Sequence, residues 1–411
     1  MTVKKIQLPQ ARHERIDYIK SLFPEHQGKR LNEYWMGGRI QGLNVLANIS
    51  PKDYGATRNY LDGRVTRLSP YLRHGCITLT EAIAASKIKS PDGGEKLLFE
   101  FAWRDFWRQV WFLNSDQIFS EMETPKVKLG SKAIPTELAE ANSALPCMDA
   151  FVDELHETGY LHNHARMWLA SYMVHWLKID WKLGADWMHN LLLDGDYASN
   201  TLSWQWIASS FGSKPYFFNK ENLSKYTSNQ FCENCKAKCP FNDSYENLDK
   251  QLFSPNTAVT IEPVALQIEA ANEKYVGSKR FILFHDEMLS NEHPLYKSRD
   301  EKIFIFDPNL YKNWALHRLQ FIADCLSEMP EITVWIGTTE NVLNELDCGQ
   351  IETQNTPSQK LKNTLSKFDV NYIQEPLIYS DEIHQQLIAK DVRRFSKYWN
   401  IVSKSILLTL T

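Results

Sequence analysis

Apolar and polar positions alternate in two different ways along this chain of 411 residues. Before about residue 250, apolar residues recur at spacings of three and four, which is typical of helices. After residue 276, helical segments alternate with short β-rich runs, namely FILF, KIFIFD, ITVWIG and VNYIQEP. That alternation is typical of a parallel α/β sheet. The sequence predicts a helical domain at residues 1–250, a linker at 251–275 and an α/β domain at 276–411.

The helical part contains one stretch, residues 159–206, that is unusually polar and aromatic for helical core. One face of a helix predicted over residues 161–176 carries an amide and a guanidinium among apolar neighbours, at Asn163, Arg166, Met167 and Ala170. Further on, Asp194 and Asp196 flank Gly195, and Asn200 follows. Two interpretations stay open: a binding site for a large flat polar molecule, or two helices joined by a turn in which the aspartates are turn and N-cap residues.

Two other segments place charged side chains among apolar ones. Residues 58–73 space Arg58, Arg64, Arg67 and Arg73 around a helix start at Ser69-Pro70, as an anion site at a helix N-terminus would, although a solvated basic loop has the same composition. The segment FEFAWRDFW puts an acid, a guanidinium and two indoles on one helix face, at Glu100, Trp103, Arg104 and Trp107. Burying such a mixture without a ligand is costly. We also expect a helix to end near Gly37-Gly38.

Composition narrows the functional classes only slightly. The chain has 46 basic and 50 acidic residues, so any contact with nucleic acid requires a local basic patch. It shows neither an apolar run of transmembrane length nor a signal peptide, which favours a cytoplasmic protein. Cys232, Cys235 and Cys239 are spaced C-x2-C-x3-C, which is half of a metal site and needs a fourth ligand. An iron–sulfur cluster, zinc and free thiols all remain open.

Several motifs together resemble the photolyase/cryptochrome family of flavoproteins. GYLHNHARM, IDW, DGDYASN and WQW follow the family's GYxHNxxRM, IDW, DGDxAxN and WQW in the same order. The upstream segments RLSPYL and ExxWR are also present. The resemblance covers about half of the chain and implies an all-helical FAD-binding domain, followed here by a Rossmann-like parallel α/β domain. Because HDEMLSNEHPLY resembles part of the antenna domain that normally comes first, it also implies a circular permutation.

The resemblance assigns roles to residues at matching positions. It implies that FAD is held by Thr66, Arg67, Leu68, Ser69, Arg104, Arg166, Asp194, Asp196 and Asn200. Val65 stands where a hydroxyl residue is usual, so one phosphate contact differs from the family. Asn200 would face flavin N5, where an amide is typical of photolyases.

The family also implies residues for substrate and for electron transfer. DNA lesion contacts fall on Glu100, Trp103, Asn163, Met167 and Trp206, with Glu100 bonding to a base. Trp204 and Trp181 match the proximal and middle tryptophans that relay electrons to the flavin. The third member of that relay has no counterpart, because no tryptophan lies between Phe112 and Arg166.

An iron–sulfur branch of the family suggests the missing metal ligand. That branch uses a cysteine shortly before the GYxH helix, and Cys147 stands there. The resemblance therefore implies a [4Fe–4S] cluster on Cys147, Cys232, Cys235 and Cys239, with the last spacing shorter than in the branch. The antenna chromophore is not identifiable.

The resemblance leaves three functions open. As a photolyase, the protein would repair pyrimidine dimers in ultraviolet-damaged DNA by light-driven electron transfer. As a cryptochrome-like receptor, it would respond to blue light through a signalling partner. As a light-independent relative, it would bind FAD without either activity. The lesion-contact set favours repair, whereas the acidic net charge and the missing third tryptophan favour a receptor.

Overall fold

The computed structural model describes residues 3–90, 93–253 and 274–408. Its helices are α1 Arg12–Leu22, α2 Arg39–Ala47, α3 Pro51–Thr57, α4 Ser69–Arg73, α5 Leu79–Lys89, α6 Glu95–Asn114, α7 Thr136–Ala139, α8 Pro146–Thr158, α9 Asn163–Ser171, α10 Trp181–Leu191, α11 Tyr197–Ala208, α12 Lys220–Tyr226, α13 Tyr245–Leu252, α14 Leu316–Ser327, α15 Thr339–Glu345, α16 Gln359–Leu365, α17 Asp381–Ala389 and α18 Phe395–Leu408. Its strands are β1 Lys4–Ile6, β2 Lys279–Phe284, β3 Glu301–Phe306, β4 Ile332–Ile336, β5 Cys348–Gln354 and β6 Asp369–Ile373.

The described residues divide into two compact units. The first unit contains residues 3–49, 66–115 and 274–408, and the second contains residues 50–65 and 116–253. This division differs from the predicted boundary at residue 250. Two long-range contacts account for the difference: β1 pairs with β4, and α6 packs against α18. Most of the predicted linker at 251–275 lies outside the described residues.

The first unit is built on a six-stranded sheet with the order β1-β4-β3-β2-β5-β6. β2 to β6 are parallel, whereas β1 is antiparallel to β4. The predicted parallel α/β architecture is therefore confirmed. The last four residues of β2 are buried, as expected for a parallel strand that is covered on both faces. Neither β5, whose sequence CGQIETQ has few apolar residues, nor the three-residue β1 was predicted.

Arginines of α4 and α6 meet acidic residues where β2 ends. Arg73 in α4 donates to Asp286 over 2.7 Å, and Arg108 in α6 donates to Glu287 over 2.6 Å. Arg108 also binds Glu375, which follows β6, over 2.8 Å. Burial opposes the charge of Glu287, but the two arginines outweigh it and lower the pKa of that carboxyl. These ion pairs attach α4 and α6 to the carboxyl end of the sheet.

The glycine pair Gly37-Gly38 precedes a helix instead of ending one, so the prediction there was wrong. Gly38 is the N-cap of α2 and has a φ of 111°, a conformation that favours glycine. A Cβ on Gly37 would lie 2.1 Å from the carbonyl oxygen of Phe321. The glycines are needed because the backbone passes this close to α14.

The second unit is helical and has α9, α10 and α11 near its centre. These helices contact one another, and α9 continues into a π-helical turn at Tyr172–Trp176, which confirms the helix predicted over residues 161–176. Asp180 and Asp196 cap α10 and α11 by accepting hydrogen bonds from the backbone of the first turn. None of the helices in the described part of the chain has the length and apolar character that crossing a membrane requires.

Candidate functional site

Arg166 and Asp194 form a two-pronged ion pair in the second unit. Nη1 and Nη2 of Arg166 donate to the two carboxylate oxygens of Asp194 over 3.2 and 2.9 Å. Arg166 Nε donates to the carbonyl oxygen of Leu161 over 2.8 Å, which fixes the guanidinium on α9. Asp194 is only 4% exposed, so the arginine compensates a buried charge. This pairing joins two residues predicted to bind the cofactor.

Asp196 and Asn200 lie one helical turn apart at the start of α11. Asp196 accepts a hydrogen bond from the backbone nitrogen of Ser199 over 2.8 Å, so it is the N-cap that the simpler interpretation of the sequence expected. The side-chain nitrogen of Asn200 donates to the carbonyl oxygen of Ala185 over 2.8 Å. That bond holds the amide of Asn200, which is nearly buried, in one orientation.

The two predicted electron donors, Trp204 and Trp181, are both buried in the second unit. Trp204 lies against Gly184 so closely that a Cβ on the glycine would come within 2.4 Å of the indole ring. The indole nitrogen of Trp181 donates to Glu121 over 3.2 Å, and Lys182 pairs with the same carboxylate over 2.9 Å. Burial opposes the charge of Glu121, but hydrogen bonds from Lys182 and Trp181 outweigh it and lower its pKa. The sequence did not point to Glu121 or Gly184.

The predicted lesion contacts in the second unit are Asn163, Met167 and Trp206, and none of them is fully buried. Asn163 is exposed, and its amide nitrogen contacts the sulfur of Met167 over 3.5 Å. Trp206 is half-buried and stacks on Tyr216, with ring centroids 5.3 Å apart. The contact between Asn163 and Met167 follows from their spacing of four on α9.

The predicted cofactor residues Thr66, Arg67, Leu68 and Ser69 belong to the first unit. Arg67 has a φ of 55°, is exposed, hydrogen-bonds to the hydroxyl of Tyr34 and lies over its ring. Thr66 Oγ1 accepts from the backbone nitrogen of Leu68 over 3.4 Å, and Ser69 begins α4. The left-handed conformation at Arg67 makes the sharp bend into α4.

Three residues on α6, also in the first unit, were predicted to contact the DNA lesion or FAD, and their surroundings differ. Glu100 pairs with Lys96 one turn earlier over 2.8 Å, and Arg104 is half-buried. Trp103 stacks on Phe395 of α18, with ring centroids 3.8 Å apart and ring planes 7° apart. The sequence did not point to Phe395, because it lies far from Trp103 along the chain.

The four predicted metal ligands are neighbouring free thiols in the second unit. Burial raises the pKa of Cys147 to about 12, with further contributions from the neighbouring Cys232 and Cys239. Cys235 acts in the same direction on Cys232 and Cys239. Across residues 3–90, 93–253 and 274–408, however, no three His, Cys, Asp or Glu side chains are arranged to hold a metal ion. The thiols are close together without forming a metal centre.

Comparison with known proteins shows what this part of the chain is similar to. Residues 97–241 match the FAD binding domain of DNA photolyase. The match includes most of α6, the Arg166–Asp194 pair, Asn200 and the two predicted electron donors, and it confirms the resemblance drawn from the motifs. The side chains of this photolyase-like segment also suit FAD chemically, because they combine fixed cationic and amide donors with carboxylate acceptors.

Several relatives match about half of the chain. Deoxyribodipyrimidine photo-lyase of Streptomyces griseus is 33% identical over 204 residues, which are 47% of this chain and 42% of that protein. Cryptochrome DASH of Idiomarina loihiensis is 29% identical over 224 residues, covering 50% of this chain and 49% of that protein. The chain thus spans about half the length of these relatives.

Solved structures match a similar share. A cryptochrome from Synechocystis has a TM-score of 0.45 and 26% identity, covering 50% of this chain and 47% of that one. A class III photolyase from Agrobacterium tumefaciens has a TM-score of 0.41 and 25% identity, covering 47% of this chain and 43% of that one.

Proposed function

We propose that this protein binds FAD noncovalently and uses it to repair pyrimidine dimers in ultraviolet-damaged DNA with light. The observation that carries the proposal is the match of residues 97–241 to the FAD binding domain of DNA photolyase. Relatives named deoxyribodipyrimidine photo-lyase support this choice of substrate. When bound, FAD would absorb the light and supply the electron for dimer cleavage.

The chain's own residues would then hold the cofactor and guide electrons. Arg166 and Asp194 would hold polar groups of FAD at fixed positions, because each already fixes the other. Thr66, Arg67, Leu68, Ser69, Arg104 and Asp196 complete the proposed cofactor set. Asn200 would offer flavin N5 an amide whose orientation Ala185 holds. Trp204 and Trp181 are the proposed electron donors, and Glu100, Trp103, Asn163, Met167 and Trp206 are the proposed lesion contacts.

A direct test uses the full-length protein purified in the dark. We expect flavin absorption bands from released FAD, and light-dependent loss of cyclobutane dimers from a short duplex that carries one dimer. The same mixture kept in the dark, and a light-exposed mixture without protein, should keep their dimers. Protein that binds no FAD even when FAD is added would refute the proposal at its first step.

A blue-light receptor without repair activity is the second candidate, and one contact favours it. Phe395 stacks on Trp103, which is a proposed lesion contact. A cryptochrome DASH among the relatives is compatible with this alternative. Bound FAD with unchanged dimers after illumination would support the receptor and would direct attention to a signalling partner.

Three further features of the sequence stay predictions. The [4Fe–4S] cluster is supported by the proximity of Cys147 to Cys232 and Cys239, but the thiols as placed do not form its site. Analysis of iron, acid-labile sulfide and zinc in protein purified without oxygen would decide among the cluster, zinc and free thiols. The circular permutation rests on the resemblance alone, and the cytoplasmic location remains an expectation drawn from the sequence.

A further inference from the structure

The last described helix, α18, covers part of α6 in the first unit. Phe395, the first residue of α18, lies flat on Trp103 at a centroid distance of 3.8 Å. Phe99 and Phe106, one turn to either side of Trp103 on α6, contact Phe395 by ring edges at 4.8 and 5.7 Å. Phe395 is only 7% exposed. One face of Trp103 is thus occupied by a residue from outside the photolyase-like segment.

The geometry of this contact is that of a nucleobase stacked on an indole. Ring planes 7° apart at van der Waals separation leave no space for a second flat group on the same face. Part of the remaining surface of Trp103 meets Trp107, which is tilted by 41° with its centroid at 5.0 Å. A flipped base could therefore use the covered face of Trp103 only after Phe395 has left it.

We propose that Phe395 is a built-in competitor for the stacking face of Trp103, so that α18 sets the affinity of this protein for a DNA lesion. The inference rests on the proposed repair function, because it assumes that Trp103 contacts the lesion. It identifies a residue that determines access to this position.

Further contacts anchor the rest of α18. The hydroxyl of Tyr398 donates to Asp105 over 2.5 Å, and Val402 and Ile406 are buried on the same side of the helix. Only the start of α18, before Tyr398, has to move for Trp103 to be uncovered. A first turn is the part of a helix that opens most readily, because its backbone N–H groups have no partners within the helix.

The test measures binding of a labelled duplex with one cyclobutane thymine dimer, and of the same duplex undamaged, to the full-length protein in the dark. Replacing Phe395 by Ala removes the competing ring, and Phe395→Leu removes the flat ring while keeping most of the volume. We expect both variants to bind the damaged duplex about 3- to 10-fold more tightly than the wild type, in line with the usual strength of an aromatic pair. The double variant Trp103→Ala/Phe395→Ala should lose this gain.

Leu407→Ala is the control, because Leu407 is an apolar residue of α18 that is 40% exposed and lies three turns away from Phe395. We expect its affinity for damaged DNA to equal that of the wild type. If the wild type prefers damaged DNA and the two Phe395 variants bind it no more tightly, the competitor is refuted while the repair function stands. If no variant distinguishes damaged from undamaged DNA, both the repair function and this inference fail.

Discussion

Arg166 donates two hydrogen bonds, of 3.2 and 2.9 Å, to the two carboxylate oxygens of Asp194. The pair links the start of α9 to the DGD turn before α11, and these two segments carry most of the second unit's proposed cofactor residues. The contribution of this pair to the free energy of unfolding can therefore be measured before any cofactor is added.

We predict that Arg166→Met destabilises the protein by about 2 kcal/mol, because it removes the guanidinium that pairs with the buried carboxylate of Asp194. The same variant should take up FAD more weakly. Denaturant unfolding of the protein without FAD and a fluorescence titration with FAD measure the two effects. Lys182→Met breaks a more exposed pair with Glu121 and should cost less than about 1 kcal/mol. Equal losses from both variants would contradict this account of Arg166.

The stability of the folded protein should depend on pH through Asp105 on α6. Burial raises its pKa from 3.8 to about 6, although hydrogen bonds from Tyr398 and Tyr379 oppose the shift. A carboxyl whose pKa is raised in the folded state contributes stability below its unfolded pKa, and that contribution is lost as the pH rises through the folded pKa. The stability of the wild type relative to Asp105→Asn should therefore fall by up to about 3 kcal/mol between pH 4 and pH 7.

Denaturant unfolding at several pH values measures this difference, and comparison with Asp105→Asn removes the contributions of all other titrating groups. Asp17→Asn is the control, because Asp17 makes only an exposed pair with Arg30 at 3.5 Å. Its stability relative to the wild type should hardly change over the same range. A constant difference between the wild type and Asp105→Asn would mean that Asp105 does not titrate there.

How much of the fold and of the candidate site can be predicted from the sequence depends on how far apart along the chain the contacting residues lie. Predicted strands such as FILF in β2 are buried apolar runs, which are typical of a parallel sheet, and they were found. The predicted lesion contacts Asn163 and Met167 meet because a helix brings residues four apart together. In each case the signal lies within a few residues of sequence.

The features that were missed depend on partners far away along the chain. β1 is too short to recognise by itself and is defined by its pairing with β4. Phe395 has no local signature, and its significance comes from Trp103, almost 300 residues earlier. The division into two compact units also depends on distant segments, since pairing between them leaves no mark on local periodicity.

Gly184 allows us to test how closely Trp204 is packed. A methyl group on this glycine would come within 2.4 Å of the indole, so Gly184→Ala should destabilise the protein by about 1 to 3 kcal/mol despite the better helix propensity of alanine. Trp204→Phe in the same chain should recover part of that loss, because the smaller ring leaves room for the methyl. If the double variant loses at least as much stability as the two single variants lose together, the two side chains do not compete for space.

The last prediction concerns the route of electrons to bound FAD. Trp204 and Trp181 are the proposed donors, both are buried, and Trp204 packs on α10, the helix that begins with Trp181. With a thiol reductant and blue light, Trp204→Phe should slow photoreduction of FAD at least tenfold, a loss of about 1.4 kcal/mol or more in barrier terms. FAD should stay bound, because the change removes an electron donor and not a proposed cofactor contact.

Trp168→Phe is the matched control, since Trp168 is a buried indole that packs with Phe151 and Phe218 and has no proposed role in the relay. Time-resolved absorption of the flavin after a light pulse measures both variants. If Trp204→Phe photoreduces at the wild-type rate, electrons reach the flavin by another path, and the half-buried Trp206 becomes the next residue to replace.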